Sequence, residues 1–295
     1  MAADVVTPVT AIAPAKINLF LHVGPVDGEG YHPLTSLVAF ADVGDGISVA
    51  PADRLSLTVG GPFGSALTVD PDNLILRALR ALGEATGTGE PPVQVHLDKR
   101  LPIAAGLGGG SSDAGAALKL ARDLLGLDID DAALGDIAKV VGADGPMCLH
   151  ARSAWAEGRG EVLTFEPKLP PLPALLVNPG VPSPTGAVYR TYDAAPRPLE
   201  SRPAPPGDWS ATGVIDWLAE QRNDLEAPAI TLQPVIGAAL QAVAALPEAR
   251  LTRMSGSGAT VFALFDTREA AEAAARQLAS EQPDWWIMPT TLAVP

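Results

Sequence analysis

Cysteine is nearly absent from this sequence: Cys148 is the only one among 295 residues. A single thiol excludes an internal disulfide framework and a cysteine-rich zinc site, and it fits a reducing compartment. No apolar run approaches the roughly 20 residues that a membrane-spanning helix needs. The stretch from Met1 to Ala13 lacks the basic start and apolar block of a secretory signal. The expectation is a cytoplasmic protein with no membrane partner. Positive charge is scarce too: 20 Lys and Arg stand against 34 Asp and Glu, a net charge of −14. Such a field repels phosphate polymers, so nucleic acid is not an expected partner. An anionic small molecule remains admissible, because local amides, cations and a metal can hold it.

What is present describes a folded protein. Hydrophobic residues make up 47% and charged residues 18%, enough to bury a substantial core. At roughly 100–200 residues per domain, the length suits two domains. Gly 29 and Pro 29 imply many turns rather than one helical bundle.

Val9 to Val23 reads as a strand broken around Pro14, and Thr35 to Val49 as strand with a turn at Gly44-Asp45-Gly46. Leu55 to Val59 and Val93 to Leu97 alternate as half-buried strands do. Asn73 to Leu82 has helical spacing, with Leu74, Ala78 and Leu82 on one face. A long helix follows Asp113, and a second spans Asp130 to Val141, stopped by Gly142. Lys168 to Pro173 and Pro196 to Pro206 read as linker or surface loop around a short strand at Leu175 to Val177. Ala259 to Phe265 is a strand, and Thr267 caps an alanine-rich helix. Helices and strands alternate without regular strand–helix–strand units, so the fold class expected is α+β in two domains.

The chemistry-bearing stretch is Leu101-Pro102-Ile103-Ala104-Ala105-Gly106-Leu107-Gly108-Gly109-Gly110-Ser111-Ser112-Asp113. Glycines let successive N–H groups turn inward, and the following helix adds the positive end of its dipole. Together they make a cradle for a phosphate chain. The stretch is neither a Walker A motif nor a strict G-x-G-x-x-G fingerprint. Without other signals, a flexible turn capped by serine would explain it equally well.

Other segments supply those signals. Pro14-Ala15-Lys16-Ile17-Asn18-Leu19-Phe20-Leu21, the glycine-rich stretch, and Arg253 to Phe262 with Gly256-Ser257-Gly258-Ala259 resemble the three motifs of the GHMP kinases, in order. Asp27-Gly28-Glu29-Gly30-Tyr31-His32, Asp98-Lys99-Arg100-Leu101-Pro102, Gly142-Ala143-Asp144, Ala156 to Glu161, Pro179 to Thr185 and Arg222 to Glu226 narrow the resemblance. They are similar to the members that phosphorylate an alcohol linked to cytidine diphosphate. The resemblance implies a half similar to domain 2 of ribosomal protein S5 over 1–168, and a ferredoxin-like half over 169–295.

It also implies roles. Asp144 matches the catalytic aspartate and Lys16 its partner; taken alone they would be a turn aspartate and a strand lysine. Ile103, Ala104, Ala105, Gly106, Leu107, Gly108, Gly109, Gly110, Ser111 and Ser112 would hold ATP, with Asn73 and Lys99 near the adenine. Ser111 and Ser112 would reach Mg²⁺. Asn18, Tyr31, His32, Thr185 and Tyr189 would bind the substrate: Tyr31 and His32 would shape a cytidine pocket, the imidazole hydrogen-bonding the cytosine, and Tyr189 would stack over the base. His32 as a base is the alternative mechanism, and Tyr189 as a core residue the plainer reading. His22, His96 and His150 lack metal-ligand spacing and read as structural. Two departures stand out: Gly145-Pro146-Met147 where the family often has Val-Pro-Phe, and Asp113 where Asn is frequent. Asp113 is expected to cap its helix or to face away from phosphate. Two alternatives stand beside this one: a GHMP kinase for another alcohol, such as mevalonate or homoserine, and a non-catalytic nucleotide-binding module. A monomer or weak homodimer is expected.

Overall fold

The structure, a computed structural model, describes residues 7–293, so the first six residues of the Met1 to Ala13 stretch lie outside the described residues. Along the chain run β1 (Val9–Val23), β2 (Leu34–Pro51), β3 (Ser56–Gly60), α1 (Leu74–Thr86), β4 (Val93–Asp98), α2 (Gly109–Leu125), α3 (Asp131–Ala138) and α4 (Gly145–His150). Then come β5 (Ala154–Gly158), β6 (Val162–Phe165), β7 (Leu172–Asn178), α5 (Thr185–Tyr192), α6 (Ala211–Ala219), α7 (Glu226–Leu232) and α8 (Pro234–Ala244). The chain ends through β8 (Leu251–Met254), β9 (Val261–Leu264), α9 (Arg268–Glu281) and β10 (Trp286–Leu292).

Two compact units share these elements. Unit one takes the chain up to Ala15, Val43–Ile103 and Gly108–Ala151; unit two takes Lys16–Asp42, Ala104–Leu107 and the chain from Arg152 on. Strands β1 and β2 therefore each pass from one unit to the other.

In unit one, the end of β2 pairs antiparallel with β4, from Gly46↔Asp98 to Pro51↔Val93. Strand β3 lies parallel to β4. Strand β4 alternates buried and exposed residues, so this small sheet has one apolar face. Ile47, Val49, Val95 and Leu97 on that face pack with Ile75, Leu79 and Leu82 of α1 and Ala117, Leu118 and Ala121 of α2. Asn73 starts α1 by accepting the Ile75 N–H at 2.9 Å, as its sequence position predicts.

In unit two, the start of β2 pairs antiparallel with β5, and β5 with β6. A second antiparallel set runs β10-β7-β9-β8, joined to β2 at Leu292↔Ala41. Strands β7 and β9 are buried along nearly their whole length, so neither alternates. Their side chains pack with α8 and α9 through Ile236, Ala239, Ala271, Ala274 and Leu278.

The structure departs from the sequence reading in several places. Strand β1 continues through Pro14, and β2 through Gly44-Asp45-Gly46, where a turn was expected. A Cβ on Gly44 would land on the Ala13 carbonyl, so this glycine serves a close strand approach. The helix expected over Asp130 to Val141 is α only to Ala138, then a 3₁₀ turn closed at Gly142, whose φ is +119°. The last two residues of the Lys168 to Pro173 loop, Leu172 and Pro173, belong to β7. Thr267 does cap α9, accepting the Ala270 N–H at 3.1 Å. Residues Pro196 to Pro206 carry no helix or strand, as expected of a surface loop.

Candidate active site

Unit one carries the start of α2, where the sequence predicts a phosphate cradle. Gly108, with φ +62°, is the residue before α2, and among the described residues no side chain caps that helix. Its first-turn N–H groups and positive dipole end are left for a ligand. Ser112 Oγ is buried there, with no hydrogen-bond partner among the described residues. Leu74 lies beside it: a Cβ on Gly110 would stand 3.1 Å from Leu74 Cδ1. Helix α4 also packs on α2, and Cys148 Sγ approaches the Gly108 carbonyl at 3.8 Å. Asp144 occupies the residue before α4, half-buried, one turn ahead of Cys148, whose N–H donates to its carbonyl at 2.9 Å.

Beneath the cradle is a charge cluster that the sequence did not reveal. Asp45 is fully buried and accepts the backbone N–H groups of Arg100 at 2.6 Å and Leu101 at 2.8 Å. Its other oxygen accepts Lys99 Nζ at 2.6 Å, and Asp113 Oδ2 accepts the same ammonium at 2.7 Å. A Cβ on Gly109 would stand 3.1 Å from that Nζ, so the cluster lies directly against the start of α2. Burial pulls the Lys99 pKa down, but the two carboxylates more than offset it and hold the ammonium charged. Burial pushes the Asp113 carboxyl up to about 7 against the pull of Lys99. Lys99 is thus a buried side chain held by two carboxylates. Asp113 does not cap α2; it points to Lys99.

Unit two holds the other half of the glycine-rich stretch, Ala104 to Leu107. Lys16 N–H donates to the Leu107 carbonyl at 2.8 Å, and Thr260 N–H to that of Ala105 at 3.1 Å. Ser255 Oγ donates to the Gly106 carbonyl at 3.0 Å. Gly106 has φ +74°, and a Cβ there would strike the Ser255 carbonyl, so only glycine permits this stitch. Lys16 and Asn18 are both buried, two residues apart and so on one face of β1. The Asn18 backbone N–H donates to Ser255 Oγ at 3.2 Å, and its side-chain Nδ2 donates to Ser36 Oγ at 2.8 Å. Asn223 Nδ2 donates to the carbonyls of Met254 and Gly256, each at 2.8 Å, and so shapes the third motif's loop. Arg253 is buried and donates to the carbonyls of Leu19, Leu218 and Gln221; burial draws its pKa down to about 10.

The expected base-binding residues also come together in unit two. The His32 ring lies 4.7 Å from that of Tyr189 and 6.0 Å from that of Tyr192. His32 Nε2 meets Asp193 Oδ1 at 2.6 Å. Tyr31 is 53% exposed, with the Arg159 guanidinium 3.9 Å above its ring. Arg159 pairs with Glu29 and Asp27, and Asp27 Oδ1 accepts the N–H groups of Glu29 and Tyr31 at 2.9 Å, fixing the loop's shape. Thr185 at the start of α5 exchanges a hydrogen bond with Ser257 Oγ at 2.9 Å, one turn before Tyr189.

Sequence reasoning missed Asp45, Asp193 and Ser255 as site-shaping residues. Asp45 looked like a turn residue, and Asp193 lies 161 positions from its partner. No local pattern links such pairs. Among the described residues, no group of three or more His, Cys, Asp or Glu could hold a metal. No helix among them is long and apolar enough to cross a membrane.

Comparison with known proteins agrees with this geometry. The family description "GHMP kinases N terminal domain" matches residues 73–152, and "GHMP kinases C terminal" matches 213–284. The chain is 54% identical over 281 residues to the 4-diphosphocytidyl-2-C-methyl-D-erythritol kinase of Caulobacter vibrioides (strain NA1000 / CB15N), covering 94% of this chain and 97% of that one. It is 50% identical over 284 residues to the same-named protein of Methylobacterium radiotolerans, covering 95% and 97%. A crystal structure of 4-(cytidine 5'-diphospho)-2C-methyl-D-erythritol kinase superposes with a TM-score of 0.78 at 35% identity, over 97% of this chain and 100% of that one. A homoserine kinase from Cytophaga hutchinsonii shares the fold at TM-score 0.65 and 17% identity, over 99% and 97%. With its two-domain α+β fold and its two matched domains, the chain belongs to the GHMP kinases.

Proposed function

We propose that the chain transfers the γ-phosphoryl group of ATP to the 2-hydroxyl of 4-diphosphocytidyl-2-C-methyl-D-erythritol, a step of non-mevalonate isoprenoid precursor formation. The observation that carries this reading is the 54% identity to the Caulobacter kinase across nearly both whole chains. The site supports it, with an uncapped helix start for phosphate and an aromatic–histidine cluster for a base. We assign the N-terminal half, 1–168, to nucleotide binding and the C-terminal half, 169–295, to completing the enzyme.

In this reading the substrate oxygen forms a bond to the γ-phosphorus, the bond from that phosphorus to the bridging oxygen breaks, and ADP leaves. The hydroxyl proton passes to Asp144. Lys16 sets its charge against the developing oxyanion. Phosphoryl transfer needs little covalent help, so positioning and charge carry most of the rate. The backbone from Ile103 to Gly110 and Ser111 and Ser112 hold the phosphates. Asn73 lines the nucleotide site, and Lys99 holds its floor. Asn18 and Thr185 position the sugar-derived part, while Tyr31, His32 and Tyr189 bind the cytosine.

Magnesium fits these residues. The unpartnered Ser112 Oγ and the neighbouring Ser111 offer hard oxygen donors, and Mg²⁺ in kinases is held largely by phosphates and water. Bound there, it would neutralise charge on the β- and γ-phosphates.

The test is product analysis. With MgATP, ³¹P NMR should show ADP and a new phosphomonoester on the 2-hydroxyl carbon. Asp144→Ala should slow this by roughly 10²–10⁴-fold, with KM for ATP little moved. Wild-type activity in Asp144→Ala would remove the proposed base and return His32 to candidacy.

A further inference from the structure

Asp193 has no assigned role, yet it sits where a carboxylate is disfavoured. It follows the last residue of α5, at the negative end of that helix's dipole. Its N–H closes the helix by donating to the Tyr189 carbonyl at 2.9 Å. Among the described residues its side chain makes a 2.6 Å hydrogen bond between Oδ1 and His32 Nε2. The His32 side chain is 10% exposed and that of Asp193 37%, so the imidazole is enclosed while the carboxylate reaches the surface.

An ionised carboxylate only accepts hydrogen bonds. The Nε2 nitrogen must therefore carry the proton, and in a neutral ring Nδ1 is then an acceptor. The ring cannot easily rotate to exchange its nitrogens. Tyr189 lies against it at 4.7 Å, tilted by 39°, and Tyr192 meets it edge-on at 6.0 Å. Tyr192 is itself held, because its hydroxyl donates to the Val23 carbonyl. The tautomer and the ring plane are thus both imposed from one side, by α5 and the residue that ends it.

We propose that Asp193 is a positioning residue that locks His32 with its proton on Nε2, leaving Nδ1 as an acceptor that selects an amino-bearing pyrimidine, cytosine, over its carbonyl counterpart, uracil. The inference rests on the cytidine reading of the site. Cytosine offers an exocyclic N–H donor at the edge where uracil offers a carbonyl oxygen. An Nδ1 acceptor pairs with the first and faces the second lone pair to lone pair. A site built around one hydrogen bond rejects the analogue that cannot make it, because its own polar atom is left unpaired.

The test has two arms. The first is ¹⁵N NMR of the histidine rings in the free wild-type protein, with Asp193→Ala and Asp193→Asn alongside and His32→Gln for assignment. His32 should show a pyrrole-like Nε2 and a pyridine-like Nδ1 in wild type, and a mixture of tautomers in Asp193→Ala. A proton resident on Nδ1 in wild type would overturn the proposal. The second arm compares kinetics with the cytidine-linked substrate and its uridine-linked analogue. Asp193→Ala should raise KM for the cytidine form about tenfold, a lost hydrogen bond's worth, move kcat much less, and narrow the cytidine-to-uridine preference by a similar factor. KM for ATP reports whether the fold is intact and should hold. An unchanged preference in Asp193→Ala would overturn the selectivity claim. If wild type turned over neither nucleotide form, the cytidine reading would fail and the selectivity claim with it. The NMR arm would still judge the lock itself.

Discussion

Removing the Asp45 carboxylate would leave three donors without their acceptor: the N–H groups of Arg100 and Leu101 and one hydrogen of Lys99 Nζ. Breaking a buried pair by deleting one partner costs about 3–5 kcal/mol. Asp45→Ala should lose about that much in urea denaturation; a loss under about 1 kcal/mol would contradict the bracing role. Asp113 behaves differently. Burial lifts its carboxyl from 3.8 to about 7. Between pH about 4 and 7 the folded protein then keeps a proton that the unfolded chain releases, so this group's contribution falls as pH rises. His22 works the other way: burial holds its pKa below 6.5, and stability falls as pH drops beneath that value. Asp113→Asn removes the first effect and keeps the second. The stability of Asp113→Asn relative to wild type should therefore climb from pH 4 to pH 7. Parallel pH profiles for the two proteins would contradict the raised carboxyl.

Elements were legible where the pattern was local. The 3.6-residue spacing of Leu74, Ala78 and Leu82 marked α1, and period-2 alternation marked β4. The caps at Asn73 and Thr267 stood where their residue types predict. Elements were misread where a distant partner decided. Gly44-Asp45-Gly46 has turn composition, yet β2 runs straight through it. The glycine is there because Ala13 comes too close for a side chain, and the aspartate because residues 99–101 need its oxygens. Gly44→Ala should accordingly destabilise by about 1–3 kcal/mol, far beyond a surface Gly→Ala change. Thr267→Ala should cost only about 1 kcal/mol, the worth of one helix cap. Thermal denaturation of both variants ranks them; the reverse order would contradict the close approach at Gly44.

At the scale of the molecule, the contiguous motifs were enough to point to the GHMP kinases, because a phosphate cradle is built from neighbouring backbone groups. What the motifs did not carry was the support around them. Lys99 with Asp45 and Asp113, Ser255 with Asn18 and Gly106, and Asp193 with His32 are all joined across sequence gaps that no local rule spans. The glycine-rich stretch is itself divided, Ala104 to Leu107 belonging to unit two and Gly108 onward to unit one. The most direct measurement is the initial rate of ADP release with MgATP and each of four additions: the cytidine-diphosphate-linked methylerythritol, mevalonate, homoserine and no acceptor. Turnover with the cytidylated alcohol alone is expected. Comparable or faster turnover with mevalonate or homoserine would contradict it, as would no release above the acceptor-free rate.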